Sequence, residues 1–171
     1  MSATRLPGKP LLKINGLSII SHVFKRAESA NIGEVVVATE DQEIIDDVKN
    51  NGGHAVLTSK NNKTGTDRIF EAFKILRRND IDLIMNVQGD EPDIDINDIK
   101  LLDNKMKKNN SKIGTLAAKI PSPEKYEDEN VVKVKISESF NQNSFPQAKN
   151  FMRKTKDKEN IFHHIGIYCY E

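Results

Sequence analysis

The 171 residues carry 26 Lys and Arg against 25 Asp and Glu, a formal charge of +1, which argues against a surface built to track nucleic-acid phosphates. Hydrophobic residues make up 37%, enough for one core, and the length suits one domain over residues 1–171. The single Cys169 excludes an internal disulfide and fits a reducing cytosol; no apolar run approaches the ~18 residues of a membrane span, and the opening MSATRLPGKP lacks the apolar stretch of a signal peptide.

Residues 1–10 are polar, and Pro7 and Pro10 bracket Gly8-Lys9. Two prolines that close forbid a regular helix or a central strand, so Arg5 and Lys9 project from a stiff loop. A short apolar piece, 11–14, runs into the turn signal Asn15-Gly16. Ile19, Ile20, Val23, Phe24 and Ala27 then recur at helical spacing behind Ser18, which predicts a helix over 18–30 with Ser18 as N-cap.

The β-branched run within 34–39 reads as a buried strand. Asp41 caps a second helix through Ile44, Ile45 and Val48, which Gly52-Gly53 ends. Residues 55–57 read as a strand and 59–66 (SKNNKTGT) as a polar loop. A third helix follows with Ile69, Phe70, Phe73 and Leu76 on one face. A strand over 83–88 and an amphipathic helix through Ile96, Ile99, Leu102 and Met106 come next. Strands are expected at 113–120, 131–136 and 165–170, with 137–160 polar and irregular. Strands alternating with helices predict an α/β fold, a mixed and mostly parallel sheet with helices on both faces. The second half, with fewer intervening helices, predicts antiparallel pairing.

The organising stretch is 83–92, LIMNVQGDEP. An apolar strand stops at a glycine and two acids, and in open α/β sheets ligands bind beyond the carboxyl ends of strands. The same letters are also ordinary turn chemistry. No G-x-x-x-x-G-K-[ST] and no G-x-G-x-x-G is present, so neither common phosphate-binding glycine loop applies. His163-His164 sits beside one cysteine only, without zinc spacing, and reads as a strand-edge or substrate-facing pair. Cys169 lies inside an apolar strand and reads as core.

What remains is a set of parts suited to a nucleotide. Arg5 and Lys9 are two cations held close together, and a triphosphate needs such a pair: guanidinium grips oxygens as a fork, ammonium as a point charge. A solvated loop would carry the same residues. Thr64, Thr66, Asp67 and Arg68 fall where a loop meets a helix N-terminus, a place for sugar hydroxyls or an anion, or simply a helix start favoured by the dipole. Asp90 could hold Mg²⁺, which takes one or two carboxylates plus substrate phosphates.

The strings TRLPGKPLL (4–12), TGTDRI (64–69) and NVQGDEP (86–92), with ENVVKVK (129–135) and HHIGIY (163–168) in the same order, closely resemble the sugar-acid cytidylyltransferases, above all those that activate 3-deoxy-manno-octulosonate (KDO). The resemblance implies a nucleotidyltransferase fold of the nucleotide-diphospho-sugar-transferase type, incomplete at both termini. It implies transfer of CMP from CTP to the anomeric hydroxyl of KDO, with Mg²⁺, in the cytoplasm, for lipopolysaccharide assembly, by a protein that is usually a homodimer. It makes Arg5 and Lys9 phosphate-binding cations, Asp90 the metal ligand, and Thr64, Gly65, Thr66, Arg68 and Gln88 nucleotide-binding residues. Gln88, Arg153 and His164 fall on the sugar side. A sialic acid in place of KDO, or a non-catalytic nucleotide-binding remnant, are the alternatives. Two departures stand out. The family carries an apolar strand and a basic segment before the position of Met1, and a second metal-binding aspartate beyond that of Tyr170. Met152 also replaces the serine usual between Phe151 and Arg153.

Overall fold

The computed structural model describes residues 8–139 and 144–171. A 3-10 turn, Lys9–Leu11, opens the described chain. A small hairpin of β1 (Lys13–Ile14) and β2 (Leu17–Ser18) turns at Asn15-Gly16 and delivers α1 (Ile19–Ser29), whose N-cap Ser18 accepts from the Ser21 amide at 3.2 Å. β3 (Val37–Thr39), α2 (Gln42–Asn50) and β4 (Ala55–Leu57) form one parallel βαβ unit. Asp41 caps α2 by accepting from the Glu43 amide at 2.9 Å. Ser18 and Ser21 both donate to the Asp47 carboxylate, the latter at 2.9 Å, and so fasten the start of α1 to α2.

α3 (Gly65–Leu76) and β5 (Ile84–Asn86) follow, then α4 (Ile96–Asn109) and β6 (Ile113–Ala118). A single-turn helix α5 (Glu124–Glu127), β7 (Lys133–Ile136), β8 (Ala148–Met152) and the long β9 (Ile161–Tyr170) complete the described chain. β9 is the centre of the larger sheet. β6 runs along one edge of it from Ile113 opposite Tyr170 to Ala118 opposite His163. The other edge takes β5 at 168–170 and β7 at 161–163, and β8 pairs with β7. Among the described residues the parallel ladder is β3–β4; every ladder of the second half is antiparallel, as the thinning of helices there predicts.

One face of β9 makes the main core. Ile167 and Cys169 pack against Ile99, Leu102 and Met106 of α4, with Ala30 and Ile94 closing the cluster. Each Ile, Leu or Met side chain of this cluster contributes roughly 1.5–3 kcal/mol by burial. Burial also pushes the Cys169 thiol up to about 11, so it is a core group and not a nucleophile, as its apolar strand predicts. A second cluster joins Ile20 and Phe24 of α1 to Ile45, Val48 and Ala55. The opposite face of β9 carries Tyr170, whose hydroxyl lies 3.3 Å from Thr66 at the start of α3, so helices flank the sheet on both sides. A cavity of about 570 Å³ is lined by Val37 on β3, Met85 on β5, Phe24 on α1 and Phe73 on α3.

Three expectations from the sequence are corrected. The sheet is mixed but not mostly parallel: among the described residues β3–β4 is parallel, while β5, β6 and β7 all pair antiparallel with β9, which runs between them. Residues 148–152 are a strand, not irregular: AKNFM shows no alternation because β8 is exposed along nearly its whole length and is held by its ladder to β7. Phe70 does not join the buried face of α3. It is 56% exposed and lies beneath the Lys74 ammonium, 4.3 Å from ring centre to nitrogen, a cation–π contact that tolerates solvent.

Candidate active site

β5 ends at Asn86, and Val87, Gln88 and Gly89 carry the chain to Asp90. Gly89 sits close to α1: a Cβ there would come within 2.9 Å of Ile20 Cδ1, so a larger residue would have to displace the end of that buried side chain. The turn passes close to α1 at Gly89, and Asp90 beyond it is exposed. Lys9 comes to meet it. Gly8 adopts a left-handed φ of 71°, the Leu11 amide closes on its carbonyl at 2.9 Å, and Pro10, the second residue of the 3-10 turn, brings its preset φ. The Lys9 ammonium donates to Asp90 Oδ2 at 2.9 Å. Arg5, the other cation of this loop, lies outside the described residues.

Glu91, next in the chain, is half-buried, and its carboxyl is raised above the usual range, first by burial and then by the Asp90 charge, with Lys9 opposing. It lines a cavity of about 390 Å³ with Asp95, Asp98 and Ile165. Among the described residues no group of three His, Cys, Asp or Glu side chains could cage a metal ion. A single exposed carboxylate such as Asp90 fits a Mg²⁺ whose remaining ligands are phosphate oxygens and water.

The loop before α3 forms a capping box. Thr64 Oγ1 accepts from the Asp67 amide at 3.1 Å, and Asp67 Oδ2 accepts from the Thr64 amide at 3.0 Å. This reciprocal pair fixes the helix start, leaving Gly65 beside Asn86, whose Nδ2 would be 3.8 Å from a Cβ, and Thr66 on Tyr170. Arg68 is engaged within the protein: it donates to Thr58 Oγ1 at 2.6 Å and forms a charge-assisted bond to Glu40, holding that carboxyl below its usual range. Arg68 thus ties α3 to the ends of β3 and β4.

Gln88 faces β9, where a Cβ on Gly166 would lie 3.5 Å from its Cγ and 3.9 Å from Glu91 Oε1. From there an aromatic row runs along the sheet: Phe151 meets His164 edge-on at 5.0 Å, His164 meets Tyr168 at 5.3 Å, and Tyr168 stacks on Tyr170 at 6.2 Å. The row ends on Thr66, so His164 and the loop before α3 share one surface. Burial lowers the affinity of His164 for a proton, and neighbouring His163 adds to this, which favours the neutral ring. Arg153, just past β8, donates to the Glu129 carbonyl at 2.8 Å and is exposed. The structure thus brings Lys9 to Asp90, Thr66 to Tyr170, and Phe151 to His164.

Sequence reading misses three supporting groups. Lys133 is fully buried and donates to the Asp128 carbonyl at 2.6 Å and the Arg153 carbonyl at 2.8 Å, fixing the backbone that presents Arg153. A lysine inside the apolar run VVKVKI was the available signal. Glu40 and Thr115 gave none, since each is a single polar residue at a strand position or strand end.

The cytidylyltransferase family model matches residues 1–171. A 3-deoxy-manno-octulosonate cytidylyltransferase of Nitrobacter winogradskyi is 40% identical over 99% of this chain and 67% of its own length. One of Fusobacterium nucleatum is 38% identical over 99% of this chain and 69% of its own length. A solved structure of CMP:2-keto-3-deoxy-manno-octonic acid synthetase complexed with CTP superposes with a TM-score of 0.85 at 34% identity, covering 98% of this chain and 69% of that one. Sequence, order of motifs and fold agree, and the chain belongs to the cytidylyltransferase family.

Proposed function

We propose that this chain transfers CMP from CTP to the anomeric hydroxyl of KDO and releases pyrophosphate. The observation that carries the proposal is the meeting of Lys9 and Asp90 beyond the carboxyl end of β5, in a chain 40% identical to a KDO cytidylyltransferase. The reaction is an in-line displacement: the hydroxyl oxygen bonds to the α-phosphorus, the bond to the β-phosphate oxygen breaks, and the hydroxyl proton passes to solvent. Such transfers need positioning and charge neutralisation, not a covalent nucleophile.

In this reading Lys9, with Arg5, takes the triphosphate oxygens, and Asp90 would hold a Mg²⁺ ion. Mg²⁺, when bound, neutralises charge developing on the phosphate oxygens. The Lys9–Asp90 pair is 33% and 52% exposed, a class of ion pair worth only about 0–1 kcal/mol. It opens at little cost when phosphate and metal supply better partners. The loop of Thr64, Gly65 and Thr66 with Gln88 borders the nucleotide, and His164 and Arg153 border the sugar. Arg68, bound to Glu40 and Thr58, reaches the nucleotide side through the loop it anchors. Among the described residues no helix is long and apolar enough to cross a membrane, and we place the reaction in the cytoplasm, with its product feeding lipopolysaccharide assembly.

Incubation with CTP, Mg²⁺ and equal KDO and N-acetylneuraminate, followed by mass spectrometry, tests the sugar. CMP-KDO as the main product supports the proposal. CMP-N-acetylneuraminate would assign a different sugar acid, and CTP binding without either product would make the chain a nucleotide-binding module.

A further inference from the structure

β6 and β9 fall out of step at one place. Thr115 is opposite Tyr168, and the next residue, Leu116, is opposite Ile165. β6 advances one residue while β9 advances three, so Gly166 and Ile167 form a bulge. Bulges re-aim side chains and leave backbone groups without ladder partners. Here the bulge turns the ring of His164 back along the strand to within 5.3 Å of Tyr168, four residues on, across a glycine that offers no side chain between them.

The Thr115 hydroxyl fills the bulge. Its Oγ1 lies 2.6 Å from the Ile167 carbonyl oxygen, 3.2 Å from the Ile165 carbonyl oxygen and 2.9 Å from His164 Nε2. Carbonyl oxygens only accept, and a hydroxyl has one proton to give. That proton goes to the shorter contact, Ile167. The remaining polar neighbour, Nε2, must then donate to the hydroxyl oxygen. A proton on Thr115 aimed at Nε2 instead would set its lone pairs against two carbonyl oxygens. A neutral imidazole carries a single N–H, so Nδ1 is left bare, and it has no hydrogen-bond partner among the described residues.

We propose that Thr115 is a positioning residue that holds His164 in the Nε2–H tautomer, so that Nδ1 accepts a hydrogen bond from a hydroxyl of the bound sugar acid. This rests on the placement of His164 at the sugar side under the proposed function. It deepens that reading, because a bare nitrogen repels a carboxylate. His164 therefore reads a hydroxyl, and the sugar's carboxylate lies against another group.

The test pairs ring NMR with kinetics on the full chain, using histidine labelled with ¹⁵N, and with KDO and CTP as varied substrates. The wild type should show a protonated Nε2 and an unprotonated Nδ1 for His164. Thr115→Val should mix or reverse that pattern and raise KM for KDO roughly 3- to 10-fold, the scale of one hydrogen bond, with KM for CTP unchanged. Thr115→Ser should keep the wild-type pattern and KM, and guards against a folding defect in the valine variant. A wild-type ring protonated at Nδ1, or a valine variant with unaltered tautomer and unaltered KM for KDO, overturns the proposal. If the tautomer changes and KM for KDO does not, the sugar-facing half is overturned. A wild-type chain with the expected tautomer but no turnover would count against the proposed function and leave the Thr115–His164 relation standing on its own signal.

Discussion

The Lys9 ammonium lies 2.9 Å from the Asp90 carboxylate, although 81 residues separate them in the chain. The short 3-10 turn at Lys9–Leu11 supplies the cation and a strand end supplies the anion. Neither is deeply buried, so neither is committed to the fold. In Lys9→Met, stability should change by no more than about 1 kcal/mol, measured by denaturant titration. KM for CTP should rise roughly tenfold or more, because under the proposed function Lys9 takes a phosphate oxygen.

The capping box at the start of α3 is a structural device inside the loop that the proposed function places beside the nucleotide. Thr64→Ala should cost about 1 kcal/mol of stability, read as a lower denaturation midpoint. Thr64→Ser, which keeps the oxygen that accepts from the Asp67 amide, should recover most of it.

The packing of α4 on β9 sets the scale of core effects. Met106 is almost fully buried between α4 and the sheet, and Met106→Ala should destabilise by about 2–5 kcal/mol through lost burial and the cavity left behind. A smaller loss by denaturant titration would mean that the α4–β9 layer relaxes to fill the space.

Glu91 gives a pH signature of definite sign. Its folded carboxyl is raised above the ordinary 4.5, mainly by burial. The folded state therefore binds this proton more tightly than the unfolded chain, and stability falls as pH rises from about 4.5 through the raised folded value. Glu91→Gln should be more stable than wild type at pH 7, and the gap should close below pH ~4. Melting temperatures of the two proteins across pH 3.5–7.5 check this; a constant gap would contradict it.

Much of this was legible in the sequence where local signals agreed. Ser18 and Asp41 mark helix starts by their side-chain oxygens, and both cap in the structure; the cap at Thr64 was not read, because it lies inside the polar run 59–66. The strand at 84–86 and its exit to Asp90 followed from an apolar run stopped by glycine. β8 was hidden because an exposed edge strand needs no apolar alternation; its order comes from β7, far away in sequence. The ties of Arg68 to Glu40 and of Thr115 to His164 span 28 and 49 residues. No spacing rule reaches that far. They depend on how β3 lies beside α3 and how β9 bulges beside β6, which only the fold decides.

The central claim is that Asp90 serves phosphoryl chemistry with a metal and not the fold. Pyrophosphate release from saturating CTP and KDO, with Mg²⁺ or with chelator, in wild type and Asp90→Asn, tests it most directly. The account predicts Mg²⁺-dependent release by wild type and a loss of roughly 100-fold or more in Asp90→Asn, with the circular dichroism and melting curve of the variant unchanged. Near-normal Mg²⁺-dependent release by Asp90→Asn, or no release by a folded wild-type chain, would contradict it.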